Sequence, residues 1–441
     1  MSATAEKPGH LSEIPLRWVL CWLLLPNLAV VLMWPIIGVP MQAGLAISCT
    51  LAIFFSQLPW KQARLAGVAL IFLMVTTLYV CHLFSIPPLN FRLIFQFLSD
   101  VRPLNAPEYM LAAMLLGLIL AAAAYFSPRV PRFTNRTQFL YAVLAAGLFI
   151  NLDGALASDK RDIQVMPDSS TGFDSAVLQT GLQSIAEKTD RHVIIIVVEA
   201  LGLPKTKEEK AIFAKTWDRD EWHERYRVSS GASLFFGSTT NGELRELCGV
   251  WAHYSEYDFT EGNCLPAHFR ENGYDTVAVH NFVGEMFNRS EWYPQIGFDD
   301  MLFADDLYRQ GADHCPGVFP GACDNDVPSI ILKRLSDAGR PQFVYWLTLG
   351  THLPIIADRS LGTDRCAEGT IKWRTDFPDL CRLFLLHRLL ADKIGEIAMS
   401  KDLPATDILI VGDHKPPIFN RVSSERFDNR HVPWIYLRAK R

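Results

Sequence analysis

Residues 192–202 read HVIIIVVEALG, and this stretch decides the fold. Its unbroken run of β-branched residues predicts a strand buried on both faces, as in a parallel sheet covered by helices. Further apolar runs follow, with helical patterns between them, at 277–279, 343–349, 408–411 and, as a possible edge strand, 434–437. Strands that alternate with helices predict an α/β domain with a mainly parallel sheet.

Polar side chains follow three of these strands directly. Glu199 ends the first strand, His352 lies just after the third, and Asp413-His414 follows the fourth. Because the carboxyl ends of parallel strands share one edge of the sheet, we expect these groups to meet there. Carboxylates with one or two imidazoles suit a divalent cation such as zinc or manganese. Taken singly, each has another explanation: a turn or helix cap for the acids, a hydrogen-bonded loop residue for the histidine.

A hydroxyl group is available near the same edge. Residues 233–249 read SLFFGSTTNGELRELCG, a Gly-Ser-Thr-Thr turn followed by a helical pattern. The free N–H groups of a helix N-terminus can hold a phosphate, and a bound cation can activate a hydroxyl as a nucleophile. The alternative is that Ser238, Thr239 and Thr240 only cap the helix.

The first third of the chain has a different composition. Residues 1–157 hold 9 Lys/Arg and 5 Asp/Glu, whereas residues 158–441 hold 33 and 42. Five apolar stretches of membrane-spanning length lie in this charge-poor part, which excludes a wholly soluble protein. They cover 16–35, 41–58, 65–86, 109–126 and 138–157. The acidic excess over the whole chain, 47 to 42, argues against a nucleic-acid partner.

Basic residues in the short loops predict the orientation. Those on one side are Lys7, Arg17, Lys61, Arg64, Arg129, Arg132 and Arg136, and those on the other are Arg92 and Arg102. The positive-inside rule then places the N-terminus in the cytoplasm, and an odd number of spans places the rest outside. We predict a transmembrane domain at 1–157, a polar linker at 158–190 and an exported domain at 191–441.

Six cysteines fall in the predicted exported part: Cys248, Cys264, Cys315, Cys323, Cys366 and Cys381. An even number in an oxidising compartment predicts up to three disulfides. Fifteen connectivities are possible, and we favour pairing of neighbours in sequence.

The loop between the third and fourth predicted spans contains NFRLIFQFLSDV at 90–101. Its apolar residues can face lipid while Arg92 and Asp100 stay in water, as in an interfacial helix. A short re-entrant or packed segment between helices is the other interpretation, and the sequence leaves both open.

Together, Glu199 after a strand, a threonine opening a helix and Asp413-His414 after another strand resemble the alkaline phosphatase/sulfatase superfamily. Within it, the chain is most similar to membrane-anchored transferases: lipoteichoic acid synthases, periplasmic glucan phosphoglycerol transferases and lipid A phosphoethanolamine transferases. Their plan also has about five spans before an exported domain. The resemblance implies one divalent ion, Zn or Mn, held by Glu199, Thr239, Asp413 and His414. Thr239 would also be the nucleophile. It is preferred to Thr240 because Glu243 then falls four residues later, as in the lipoteichoic acid synthase pattern.

The resemblance extends to a substrate pocket. His280, Phe287-Asn288-Arg289 and Gly297-Phe298-Asp299 resemble the H…(F/W)NR…GFD stretch of the phosphoglycerol branch, which implies that His280, Phe287 and Arg289 bind the headgroup. His352 matches a pocket histidine that assists proton transfer, and His431 resembles a second one in the phosphoethanolamine branch. No cysteine or serine stands in the setting that sulfatases convert to formylglycine, so sulfate ester hydrolysis is not expected.

The function implied by the resemblance is transfer of phosphoglycerol from phosphatidylglycerol, through a phosphothreonine, to an extracytoplasmic glycan or glycolipid. The protein would be located in the bacterial inner membrane, with the catalytic domain in the periplasm. The alternatives are a phosphoethanolamine transferase that uses phosphatidylethanolamine, a phosphodiesterase with water as acceptor, and a non-catalytic binding module.

Overall fold

The computed structural model describes residues 14–35, 39–83, 86, 88–157, 166–167, 170–188, 191–260, 262–418 and 420–440. Contacts divide the chain into two compact units. The first comprises Met1–Asn90 and Glu108–Arg161, and the second comprises Phe91–Pro107 and Asp162–Arg441. The segment between the third and fourth predicted spans therefore belongs to the second unit.

The first unit is built from apolar helices. In chain order the N-terminal helices are α1 (Leu16–Met33), α2 (Gln42–Ser56), α3 (Lys61–Leu83), α4 (Phe91–Asp100, in the second unit), α5 (Pro107–Phe126) and α6 (Arg136–Leu156). Of the described helices, α1, α3, α5 with its extension to Arg129, and α6 are long and apolar enough to cross a membrane. Helix α2 has 15 residues, about 22 Å, which is shorter than a hydrocarbon core of roughly 30 Å.

The structure thus gives four helices of spanning length and a fifth, shorter apolar helix where five spans were predicted. Leucines such as Leu111, Leu118 and Leu148 are more than 60% exposed on these helices, as lipid-facing side chains would be. The protein is therefore a membrane protein. With the N-terminus in the cytoplasm, export of the second unit requires α2 to cross as well, so the orientation stays a prediction.

The second unit is an α/β domain around one sheet, and the predicted fold class is confirmed. Its strands are β1 (His192–Val198), β2 (Tyr226–Leu234), β3 (Asp275–His280), β4 (Asp300–Leu302), β7 (Gln342–Leu347), β8 (Thr406–Gly412) and β9 (His431–Ala439), with β5 (His314–Cys315) and β6 (Gly321–Ala322) in a separate hairpin. The order is β2-β9-β8-β1-β7-β3-β4. Strand β9 runs antiparallel to both neighbours, while the remaining pairs are parallel.

The interpretation of 434–437 as an edge strand was wrong. Strand β2 pairs with β9 along its whole length, from Tyr226↔Ala439 to Leu234↔His431, and forms the edge instead. The sequence pattern did not predict β2, because the centre of this strand, Ser229-Ser230-Gly231, carries no apolar run.

Helices cover both faces of the sheet. They are α7 (Ala176–Thr180), α8 (Ile185–Lys188), α9 (Lys207–Trp217), α10 (Trp222–Arg225), α11 (Thr239–Cys248), α12 (Leu265–Glu271), α13 (Arg289–Trp292), α14 (Ala304–Arg309), α15 (Val327–Ser336), α16 (Ile371–Asp376), α17 (Pro378–Ala398) and α18 (Arg421–Ser424). Alternate residues of β1 enter different cores, Ile194 and Ile196 on one face and Val193 and Ile195 on the other. Such double coverage is what the continuous aliphatic run of β1 predicted.

Part of the predicted linker lies outside the described residues, namely 158–165, 168–169 and 189–190. Its second half folds as α7 and α8, and Val177 and Ile185 pack in the same core as Val193. The predicted neighbour pairing of the cysteines is confirmed. The disulfides are Cys248–Cys264, Cys315–Cys323 and Cys366–Cys381.

Candidate metal centre and active site

Four of the predicted site residues meet at the carboxyl edge of the sheet. Strands β1 and β8 are paired so that Val198 lies opposite Gly412, which brings Glu199 beside Asp413 and His414. The hydroxyl Oγ1 of Thr239, the first residue of α11, lies 3.0 Å from Glu199 Oε2 and 3.2 Å from His414 Nε2. His414 Nε2 also lies 3.2 Å from Asp413 Oδ2 and 3.4 Å from Glu199 Oε1.

The backbone around these residues is adapted to their close approach. Ala200 adopts a left-handed conformation, φ 56°, which is uncommon for a residue with a side chain. Its N–H donates to Asp413 Oδ1 over 2.9 Å and so joins the two strand ends. A Cβ at Gly242 would lie 3.1 Å from the Asp413 Cα, so glycine allows the first turn of α11 to approach that strand end closely.

The cluster has the properties of a cation site. Glu199 and Asp413 are buried, and one oxygen of each, Glu199 Oε1 and Asp413 Oδ2, has no hydrogen-bond partner among the described residues. Buried polar atoms are rarely left in that state without an ion or a water. The Nδ1–H of His414 donates to the Lys415 carbonyl over 2.9 Å, which leaves Nε2 with its lone pair toward the cluster.

The electrostatics agree with this interpretation. Burial and the nearby Glu199 charge raise the pKa of Asp413 to about 7. Burial alone would lower the pKa of His414, but the charges of Asp413 and Glu199 outweigh it and leave that pKa raised. Without a cation, the site therefore retains protons. Two carboxylates, an imidazole and a hydroxyl fit a divalent cation, with no preference between zinc and manganese.

Sequence reasoning missed the residues that hold this cluster in place. Thr348 Oγ1 accepts from the Glu199 N–H over 3.0 Å, and Thr351 Oγ1 donates to the Glu199 carbonyl over 2.5 Å. Arg245, buried in α11, donates to the carbonyls of Gly412 and Asp413. The one available signal was its position: Arg245-Glu246 places two charges between Leu244 and Leu247, which are both buried.

His352 lies on the loop after β7. Its Nδ1–H donates to the Leu353 carbonyl over 2.9 Å, which leaves Nε2 as an acceptor. Burial, with a contribution from His414, lowers its pKa to about 4, so the ring is neutral at pH 7. The ring of Phe319 lies 4.1 Å from it. Asp324 accepts from the N–H groups of Leu349 and Gly350 and so fixes the loop.

The predicted headgroup residues lie in a separate buried group. Arg289, 2% exposed, gives Nε and Nη2 to Glu243 at 3.0 and 2.7 Å and Nη1 to the Met286 carbonyl at 3.2 Å. His280 is buried at the end of β3, and its Nδ1–H donates to the Leu347 carbonyl over 3.2 Å. Burial, then the Arg289 charge, holds its pKa well below the ordinary value. Phe287 contacts Arg289, with the guanidinium carbon 5.2 Å from the ring centre.

His431 is not part of the four-residue cluster. It opens β9, and its Nδ1 lies 3.1 Å from Asp428 Oδ1. Among the described hydrogen bonds, none connects it with Glu199, Thr239, Asp413 or His414.

A protein-family model described as "Sulfatase" matches residues 233–376. This part of the chain is sulfatase-like. The matched segment contains Thr239 and His352 but not Glu199, Asp413 or His414, which the fold supplies from either side. We refer to the part of the second unit from Asp162 to Arg441 as the sulfatase-like domain.

One relative is named "Putative cyclic beta-1,2-glucan modification protein", from Rhizobium meliloti. It is 27% identical over 205 residues, which are 43% of this chain and 30% of the relative. The chain thus matches less than a third of that protein's length.

Several solved structures are also similar. The lipoteichoic acid synthase of Listeria monocytogenes is 14% identical, with a TM-score of 0.45 over 64% of this chain and 71% of its own. The phosphoglycerol transferase of Streptococcus pyogenes, solved with sn-glycerol-1-phosphate, is 18% identical, with a TM-score of 0.40 over 59% and 74%. The lipooligosaccharide phosphoethanolamine transferase A of Neisseria meningitidis is 12% identical, with a TM-score of 0.44 over 95% and 88%.

Proposed function

We propose that the protein is a metal-dependent transferase that moves phosphoglycerol from phosphatidylglycerol, through a phosphothreonine at Thr239, to an extracytoplasmic glycan. The observation that carries the proposal is the position of the Thr239 hydroxyl, 3.0 Å from the Glu199 carboxylate, in a buried cluster with two unpartnered carboxylate oxygens. A residue that only capped its helix would not need a hydroxyl directed at such a cluster.

In the first step, Thr239 Oγ1 gives up its proton and attacks the phosphorus of the donor lipid. The bond from phosphorus to the diacylglycerol oxygen breaks, and that oxygen takes a proton as diacylglycerol leaves. Glu199, Asp413, His414 and Thr239 would hold the divalent cation, which when bound supplies positive charge that lowers the hydroxyl pKa and stabilises the transferring oxygens. Glu199 Oε2 is the nearest group to receive the Thr239 proton.

In the second step, an acceptor hydroxyl attacks the phosphothreonine and frees Thr239 Oγ1, which regains a proton. His352 is the proposed proton acceptor, because its Nδ1–H is committed to the Leu353 carbonyl and its Nε2 is free to accept. Its neutral state at pH 7 follows from burial.

The proposed headgroup contacts are His280, Phe287 and Arg289, with His431 as a further candidate. The hydrogen bonds described for Arg289 use three of its five N–H groups, and guanidinium is well suited to phosphate. Because His431 stands apart from the cluster of Glu199, Thr239, Asp413 and His414, we assign it to the acceptor side of the binding site.

The acceptor and the location belong to the same proposal. The Rhizobium meliloti relative is named for modification of a cyclic glucan, which supports a glycan acceptor. We propose the bacterial inner membrane, with the N-terminus in the cytoplasm and the sulfatase-like domain in the periplasm, and three disulfides support an oxidising compartment. Phosphatidylethanolamine is the alternative donor, since the same cluster serves either headgroup.

The test is to trap the covalent intermediate. The full chain in detergent is incubated with mixed phosphatidylglycerol and phosphatidylethanolamine plus Zn²⁺ or Mn²⁺, and the peptide that contains Thr239 is analysed by mass spectrometry. We expect a phosphoglycerol adduct on Thr239, diacylglycerol release, and loss of both after chelation.

Thr240→Ala is the matched control, because it removes the neighbouring hydroxyl of the same helical turn and should leave the adduct intact. A phosphoethanolamine adduct would mean that phosphatidylethanolamine is the donor, with the mechanism unchanged. Diacylglycerol release without transfer to any glycan would favour the phosphodiesterase. Absence of adduct and of diacylglycerol with metal present would contradict the proposal and favour a binding module.

A further inference from the structure

Helix α4 has an apolar face that the fold does not cover. Leu93 and Phe97 are buried, at 6% and 7% exposed, and the ring of Phe97 packs against Phe319 of the sulfatase-like domain. Phe91, Phe95 and Leu98 are 64%, 70% and 63% exposed. Their spacing, i, i+4 and i+7, aligns them along one side of the helix. We call these three residues the apolar stripe.

The helix is attached to the domain that carries the cluster of Glu199, Thr239, Asp413 and His414. Arg92 pairs with Glu291 at 3.2 Å, and the Arg102 N–H donates to the Val318 carbonyl over 2.7 Å. Asn105 donates to the Gly317 carbonyl over 2.9 Å. These contacts fix the direction in which the apolar stripe points relative to the sulfatase-like domain.

The short connections on either side of α4 indicate that lipid covers the apolar stripe. Helix α4 begins eight residues after Leu83, the end of a helix of spanning length, and ends seven residues before Pro107, the start of another. Such connections reach at most about 25–30 Å when fully extended. A helix tethered so closely at both ends to membrane-spanning segments stays near the lipid–water interface.

The distribution of polar residues supports the same occupant. Arg92, Gln96 and Asp100 lie roughly 90–170° around α4 from the middle of the apolar stripe. Ser99, four residues after Phe95, borders the stripe. A helix whose apolar side enters the acyl boundary while its polar side stays in water has this arrangement. Three large exposed apolar side chains in one row are unusual on a surface that meets only water.

We propose that the apolar stripe inserts into the lipid surface and docks the sulfatase-like domain there, so that the site acts on lipid held in the bilayer. On its buried side, Phe97 lies 6.4 Å from the ring of Phe319, which in turn lies 4.1 Å from the ring of His352. One aromatic side chain thus connects the docked helix with the proposed proton acceptor. The part of this proposal that concerns catalysis rests on the proposed function, whereas the docking does not.

The docking is tested by the depth of a spin label. The full chain is reconstituted in bilayers that contain phosphatidylglycerol, with a nitroxide on Phe95→Cys or, as the matched control on the polar side, on Gln96→Cys. The unsubstituted chain, treated alike, gives the background from its free cysteines. We expect the label at 95 to collide with lipid-soluble oxygen and the label at 96 to collide with a water-soluble nickel complex.

Two outcomes would overturn the docking. Nickel access at 95 equal to that at 96 would place the stripe in water. A label at 95 that is immobile and shielded from both reagents would mean that protein covers it, for example a second copy of the chain.

The catalytic consequence is tested separately. Replacing Phe91, Phe95 and Leu98 by serine should lower diacylglycerol release from bilayer phosphatidylglycerol about tenfold or more, because the apolar side chains that would enter the lipid are removed. Release from a monomeric short-chain phosphatidylglycerol should change less than about twofold, since contacts at the site are untouched. The conservative variant with leucine at 91 and 95 should keep both rates.

An equal loss on both donors, or no loss on either, would contradict the catalytic part. If the unsubstituted chain released no diacylglycerol at all, the proposed function would fail, and the spin-label depths would still decide the docking.

Discussion

Helix α11 contributes to two buried polar clusters that differ in how completely they are paired. At its first residue, Thr239 meets Glu199, Asp413 and His414, and two carboxylate oxygens there have no partner among the described residues. One turn later, both oxygens of Glu243 are satisfied, by Arg289, Tyr293 and Tyr345. We call the first the cation cluster and the second the Glu243 cluster.

The difference shows what each cluster requires from outside. The Glu243 cluster contains its own cation, Arg289, so its charge is balanced within the chain. Burial, then the Glu243 charge, holds the pKa of Tyr293 and of Tyr345 well above the ordinary value, so both hydroxyls stay protonated as donors. The cation cluster has two carboxylates and no Lys or Arg side chain bonded to them in the described structure. It requires a cation that the chain does not supply.

The largest expected effect comes from removing the proposed nucleophile, Thr239, from the cation cluster. Thr239→Ala should reduce diacylglycerol release by a factor on the order of 10⁴ or more, because no other group can form the covalent intermediate. The thermal midpoint should change little, since this hydroxyl supports no core contact. Thr239→Ser should retain part of the rate. A Thr239→Ala enzyme with more than a tenth of the normal rate would contradict this.

The second effect breaks the pairing of the Glu243 cluster. Glu243→Gln leaves the buried Arg289 without its counter-ion, which should lower the free energy of unfolding by about 3–5 kcal/mol. The change is measured by denaturant titration of the intact protein, with unfolding monitored by protease sensitivity. The double variant Glu243→Leu with Arg289→Met should lose less than Glu243→Gln, because no charge is then left buried. A larger loss in the double variant would show that the polar network, not the charge balance, matters most.

A third effect concerns pH in the metal-free protein. The folded pKa of Asp413 is about 7, above an unfolded value of roughly 3.9. Its contribution to stability is therefore present below about pH 4 and is lost as pH rises toward 7. Relative to Asp413→Asn, the unsubstituted protein should lose about 3 kcal/mol across that range.

The measurement is thermal melting of both proteins from pH 5 to 8, with chelator and with Zn²⁺ or Mn²⁺. Metal should restore the midpoint of the unsubstituted protein at pH 7 and leave that of Asp413→Asn nearly unchanged. Parallel pH profiles in chelator would contradict the raised pKa.

The smallest effect concerns a single donor in the Glu243 cluster. Tyr345→Phe removes one of the hydroxyls that donate to Glu243 Oε1, at 3.1 Å. Because Arg289 and Tyr293 remain, the free energy of unfolding should fall by only about 1–1.5 kcal/mol. The same denaturant titration detects it, and a loss as large as that of Glu243→Gln would mean that the cluster is far less redundant than its contacts indicate.

The two clusters were also unequally predictable from the sequence. Glu199, Asp413 and His414 each follow an apolar strand directly, so local pattern and sheet topology sufficed to bring them together. The partnership of Glu243 with Arg289 joins residues 46 positions apart, and no local pattern shows that this guanidinium is buried against a carboxylate. Strand β2 was missed for a related reason. Its centre has little side-chain packing of its own, and the strand depends on its pairing with β9, which is distant in sequence.

The separation of the site residues along the chain has a consequence for synthesis. Strand β1 pairs with partners 150 and 214 residues later, His192 facing Thr406 for example, while the disulfides close over 16, 8 and 15 residues. Local cross-links can therefore form early, but the central strand stays without its neighbours until most of the domain has been made. Sheets with such long-range pairing fold slowly and expose aggregation-prone edges meanwhile. The four residues of the cation cluster are therefore not all present until His414 has left the ribosome, and an interrupted translation product would lack the proposed metal site.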